Sequence, residues 1–116
     1  MADSDELAVR TTEQLIEEMH DLRMVLEQRE ESLRRALKSF RSGGDFAAAL
    51  RAAQIAEERE DLNSALLDLE RCRRATRLSS FRAALDHGVS INELSRAWAF
   101  SRQMASRYAK EARGEI

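Results

Sequence analysis

Between Ala8 and Phe40, residues recur at alternating steps of four and three: Ala8, Thr12, Leu15, Met19, Leu22, Leu26, Arg29, Leu33, Ala36 and Phe40. This is a heptad row, the spacing that lets one helix wrap along another. A helix over that span is ~50 Å long at ~1.5 Å per residue. Ile16, Val25 and Leu37 flank the row and widen its apolar side. The row stops at Arg41-Ser42-Gly43-Gly44-Asp45, where a glycine pair ends one helix and the aspartate caps the next. A second row then runs through Ala48, Ala52, Ile55, Arg59, Leu62, Leu66, Leu69, Arg73 and Thr76. Two helices of similar length joined by so short a connection favour an antiparallel hairpin.

The expected fold is therefore all-α. A disordered acidic tail occupies 1–6, and an antiparallel coiled-coil hairpin occupies 7–77 with its turn at 41–45. A small three-helix head follows at 78–116. Proline is absent and glycine occurs only four times, so little else interrupts a helix. If the hairpin pairs positions summing to about 86, Arg29 meets Glu57 or Glu58, and Arg59 meets Glu27. The second helix carries alanine where the first carries leucine, so one hairpin buries a modest core. A second copy would cover the remaining faces. Leu15, Met19, Leu22, Leu26, Leu33, Ile55, Leu62, Leu66 and Leu69 are the expected dimerisation residues. The alternative is that this surface receives a different protein.

Net charge is −2, but it is segregated. Residues 1–70 hold 17 acidic and 9 basic side chains, whereas residues 71–116 hold 4 and 10. A basic end suits a polyanion and an acidic end suits protein contacts. Arg71, Arg73, Arg74 and Arg77 form a basic collar at the junction, placed either to meet phosphates or to solvate a helix end. Arginine outnumbers lysine 17 to 2, but the acidic part shares that bias, so the ratio says nothing about DNA.

In the head, Ser79 or Ser80 is expected to cap a first helix, Phe81 to His87, ended by Gly88. Ser90 and Glu93 form a capping box for a second helix, Ile91 to Trp98. After the corner Ala99-Phe100, Ser101 caps a third helix reaching about Arg113. Phe81, Leu85, Val89, Ile91, Leu94, Trp98, Phe100, Met104 and Tyr108 are the expected core, and Ser106, Arg107 and Lys110 point outward with Arg102 and Gln103.

On these residues, 79–113 resembles the helix-turn-helix DNA-binding domain of bacterial and phage regulators. The likeness rests on Gly88-Val89-Ser90, the inward Leu94, the Phe100-Ser101 pair and the Ser101-Arg102-Gln103…Ser106-Arg107-Tyr108 run. It implies that Ser101 caps the recognition helix and touches phosphate, that Arg102 and Gln103 read bases, and that Ser106, Arg107 and Lys110 add base or backbone contacts. Arginine matches guanine O6 and N7, and glutamine matches adenine N6 and N7. This chain departs from the pattern at Ser95 and Ala105, and at Ala99, where many members have glycine.

The implied function is sequence-specific binding of double-stranded DNA by a dimeric, cytoplasmic, nucleoid-associated transcriptional regulator. The alternatives are plasmid or chromosome partition, nucleoid organisation, or a coiled-coil adaptor that does not touch DNA. The N-terminal MADSDE lacks the character of a secretory signal, and no apolar run reaches membrane-spanning length. Cys72 has no second cysteine to pair with, and His20 and His87 lie near no ligand cluster. With no phosphate loop and no nucleophile-base pattern, neither enzyme activity, metal nor cofactor is expected.

Overall fold

The computed structural model describes residues 2–114, and all its regular elements are helices. They are α1 (Ala2–Arg41), α2 (Phe46–Ala52), α3 (Ile55–Asp86), α4 (Ile91–Trp98) and α5 (Arg102–Ala112). No described helix is long and apolar enough to cross a membrane. The chain divides into two compact units, Glu17–Glu70 and the remainder, so α1 and α3 each contribute to both. The division at Glu70/Arg71 coincides with the charge boundary. Glu17–Glu70 holds 13 acidic and 8 basic side chains.

In the unit of Glu17–Glu70, the α1 and α3 segments lie antiparallel, because Arg29 meets Glu58 while Arg35 meets Gln54. The Arg29–Glu58 ion pair, at 3.2 Å, is the one expected from the spacing. Its companion does not form: Arg59 is exposed and makes no ion pair with Glu27 among the described residues. The rotation of α1 also differs from expectation. Leu22, Arg29 and Ala36 do turn inward, but the positions alternating with them are Glu18, Val25, Ser32 and Ser39. Met19, Leu26, Leu33 and Phe40, one residue later, are exposed. Apolar periodicity defines a broad stripe on this helix. The polar bonds of Arg29 and Ser32 to Glu58 decide which edge of the stripe faces α3.

The glycine pair ends α1 as expected. Gly43 is left-handed at φ 90°, and a Cβ on Gly44 would lie 2.7 Å from the Ser39 carbonyl oxygen. Asp45 then caps α2, accepting from the Ala48 N–H at 2.6 Å. The next segment is not one continuous helix, however. The chain breaks at Ala53-Gln54, with Gln54 left-handed at φ 50°. The break frees the Ala53 carbonyl, which accepts from Arg29 Nη1 at 2.6 Å, and Arg35 donates to Gln54 Oε1 at 3.1 Å. Glu58 accepts from the Ser32 hydroxyl at 2.6 Å. That bond, followed by the Arg29 interaction, holds its carboxyl below the usual carboxylate range.

In the other unit, the expected disordered tail is helical from Ala2, and Asp5 lies 2.8 Å from His87 Nε2. The expected boundary at residue 78 is also absent, since α3 continues unbroken to Asp86. Ser79 is therefore no cap. It is buried, donates to the Thr76 carbonyl at 3.1 Å and shares a 2.6 Å hydrogen bond with the Thr11 hydroxyl. Thr76 in turn donates to the Thr11 carbonyl at 3.0 Å. A serine inside a helix is tolerated where its hydroxyl finds a carbonyl one turn back.

Candidate nucleic-acid interface

Phe81 of α3, wholly buried, centres the core on which α4 and α5 rest. Its ring meets Trp98 edge-on at 5.6 Å and Tyr108 at 6.1 Å, spacings typical of favourable aromatic pairs. Leu94, Ala105 and Ala109 complete the buried cluster. Ala105 and Ala109 thus occupy the interior, while Met104 is half-buried outside the cluster and Trp98 remains 36 % exposed. Two small residues one turn apart let α5 approach the Phe81 ring closely, a role that residue size alone did not suggest.

The corner between α4 and α5 is built from Ser95, Ala99 and Phe100. Ala99 is left-handed at φ 56° and ψ 37°. Its N–H donates to the Arg96 carbonyl at 3.3 Å, and the Phe100 N–H donates to the Ser95 carbonyl at 3.0 Å. These are the paired bonds of a Schellman motif. The Ser95 hydroxyl adds a third link, donating to the Phe100 carbonyl at 2.6 Å. Both flanking caps form as read from the sequence. Ser90 and Glu93 exchange bonds of 3.2 and 3.1 Å, and Ser101 Oγ accepts from the Met104 N–H at 3.1 Å.

Beyond this corner, Arg102, Gln103, Ser106, Arg107 and Lys110 lie along one side of α5 and border a shallow surface cavity of about 580 Å³. All but the half-buried Ser106 are exposed, as is Ser101 at the helix start. The Arg107 guanidinium carbon lies 5.4 Å from the Tyr108 ring centre. The outer face of α5 is basic because its one carboxylate, Glu111, is turned inward to pair with Arg74.

That pair changes the reading of the collar. Arg74 joins α3 to α5, and Arg77 stacks on the Tyr108 ring with its guanidinium carbon 4.2 Å from the centre. The Arg77 Nε is buried without a hydrogen-bond partner. Arg77 thus packs against the core through Tyr108, and Arg74 ties α3 to α5 at the surface. Arg71 and Arg73 are exposed on α3. An arginine run beside a helix gives no sign of which members face an aromatic or a carboxylate distant in sequence, so this split was invisible beforehand.

The expected dimerisation residues also separate into two sets. Leu22, Leu62 and Leu69 are half-buried in the unit of Glu17–Glu70, and Leu15 is half-buried in the other. Met19, Leu26, Leu33, Ile55 and Leu66 are exposed. Cys72 is buried, and no cluster of three potential metal-ligating side chains occurs among the described residues. Comparisons with protein-family models, characterised proteins and solved structures find no match to this chain.

Proposed function

We propose that the chain is a dimeric, sequence-specific DNA-binding protein of the helix-turn-helix kind, with the antiparallel segments of α1 and α3 forming a coiled-coil hairpin. In this reading α5 enters the major groove. Arg102 and Gln103, in its first turn, reach base edges, while Ser101, Ser106, Arg107 and Lys110 contact bases or phosphates. The observation that carries it is the outer face of α5, which combines two arginines, a lysine and a glutamine while its carboxylate is held inward by Arg74. The N-terminal end of the helix adds its own attraction for phosphate. None of these side chains is needed to build the Phe81 core.

The biological role that fits best is transcriptional regulation, with α5 reading an operator half-site. The test is selection of bound fragments from genomic DNA, followed by titration of the enriched site at several salt concentrations. The expected result is specific binding that weakens as salt rises and is lost in Arg102→Ala combined with Arg107→Ala. A folded protein that enriches no sequence and binds no DNA at low salt overturns this reading.

A further inference from the structure

The unit Glu17–Glu70 buries very little apolar surface of its own. Its buried apolar residues are Ala49 and Ala53, and its other buried positions are Ser32 and Glu58. Meanwhile Met19, Leu26, Leu33, Leu37 and Phe40 each leave between 47 and 51 % of their surface exposed. These five lie on one helix, in the row 19, 23, 26, 30, 33, 37, 40, whose steps alternate between four and three. That is a heptad seam beside the row of α1 that faces α3, and it stays half-exposed within the unit. Only two of its seven positions are polar, Arg23 and Glu30.

The two polar members identify the occupant. If two copies of α1 paired in parallel, Arg23 would stack on Arg23 and Glu30 on Glu30, placing like charges together twice. In an antiparallel pairing the order reverses. Met19 then lies opposite Leu37 of a second copy, and Arg23 falls within reach of that copy's Glu30, a contact made twice by symmetry. The seam is complementary to itself in that one direction. Both side chains are available at the surface. Glu30 bonds Arg34 across an exposed turn, and Arg23 bonds His20 Nδ1 at 3.0 Å, so each retains hydrogen-bonding capacity for another molecule.

We propose that this outer face of α1 is the homodimer interface, and that two α1 helices cross it antiparallel with reciprocal Arg23–Glu30 pairs. The inference rests on the dimeric part of the functional reading and does not depend on DNA contact. It also reassigns the interface: Met19, Leu26 and Leu33 face the second copy, whereas Leu22, Leu62 and Leu69 belong within the hairpin.

Sedimentation equilibrium of the full chain without DNA tests the proposal. The wild type is expected to be a dimer, and Leu26→Glu combined with Leu33→Glu to be a monomer of unchanged helical content, because both positions are already exposed. Direction is read from charge exchange. Arg23→Glu alone and Glu30→Arg alone should each raise the dimer dissociation constant at least tenfold, and the double exchange should restore it. An equimolar mixture of the wild type and the double exchange tests direction independently. In the antiparallel arrangement each of its mixed dimers carries two repulsive pairs, whereas a parallel one would gain opposite charges at both positions and associate best. A wild-type monomer overturns both this interface and the dimeric reading. A dimer indifferent to these substitutions, or one that prefers the mixture, overturns the interface alone.

Discussion

The Ser95 hydroxyl donates to the Phe100 carbonyl at 2.6 Å, across a corner in which Ala99 occupies the left-handed region at φ 56°. An alanine there is strained by about 1–2 kcal/mol, because its Cβ crowds the following carbonyl. The serine bond helps hold the chain in that conformation. Ser95 and Ala99 are thus parts of one local device.

Ala99→Gly relieves the strain but loosens the unfolded chain, so a net gain of roughly 0.5–1 kcal/mol is expected. Ser95→Ala removes the bridging bond and should cost about 1 kcal/mol. Urea denaturation of each variant measures both. A stabilising Ser95→Ala would show that the bond does not restrain the corner.

On DNA, Arg102→Ala and Gln103→Ala should each weaken binding to the selected site by about 1–3 kcal/mol and relax preference at one base position. Lys110→Ala should weaken all sequences alike and reduce the salt slope by about one. Binding profiles across single-base variants of the site distinguish these two patterns. Equal losses on every sequence for Arg102→Ala would remove it from the base readers.

Arg77 is expected to matter for stability and not for affinity. Its stacking on Tyr108 and its buried Nε place it in the core, so Arg77→Ala should cost about 1–2 kcal/mol through lost cation–π contact and packing. DNA affinity per folded molecule should remain close to wild type. Arg74→Ala should behave differently, releasing Glu111 and weakening binding in a salt-dependent way. Thermal melts and fluorescence anisotropy, run on the same samples, separate the two effects.

Acid should loosen the break between α2 and α3. Glu58 has an ordinary value of 4.5 and is held below it by Ser32 and then Arg29, so folding favours its ionised form. That contribution is complete above about 4.5 and is lost as pH falls through the lower value of the folded state. Asp86 acts in the same sense at the end of α3, its carboxyl lowered chiefly by the Ser4 hydroxyl and also by Arg82. Hydrogen-exchange protection factors of the backbone amides around Ala53–Glu58, taken against the intrinsic rate at each pH, should therefore fall at acid pH in the wild type. In Glu58→Gln they should be low already at neutral pH, with a flatter acid response.

Local signals were readable because each is completed within a few residues. Ser90 with Glu93, Ser101 with the Met104 N–H, Asp45 with the Ala48 N–H and Gly88 at φ 82° all act over one turn. The Arg29–Glu58 contact was also accessible, because a short connection between antiparallel segments fixes which positions meet. The break at Ala53-Gln54 was not. Its alanine-rich surroundings read as uninterrupted helix, and the group that receives the freed carbonyl, Arg29, lies 24 residues away in sequence. The continuity of α3 through Ser79 was hidden for the same reason, since its hydroxyl partner Thr11 lies 68 residues away.

The sequence by itself determined an all-helical chain, the caps at Asp45, Ser90 and Ser101, the stop at Gly43-Gly44, the charge boundary at Glu70/Arg71 and the set of polar residues on α5. Each of these follows from backbone chemistry or helical spacing inside one element. Tertiary structure alone decided which edge of α1 faces α3, that Arg77 packs on Tyr108, and that Arg74 holds Glu111 away from the outer face of α5. Those outcomes depend on where a polar group finds its partner in space. Periodicity brings two edges of a stripe equally close to a neighbour, and only the satisfied hydrogen bond chooses between them.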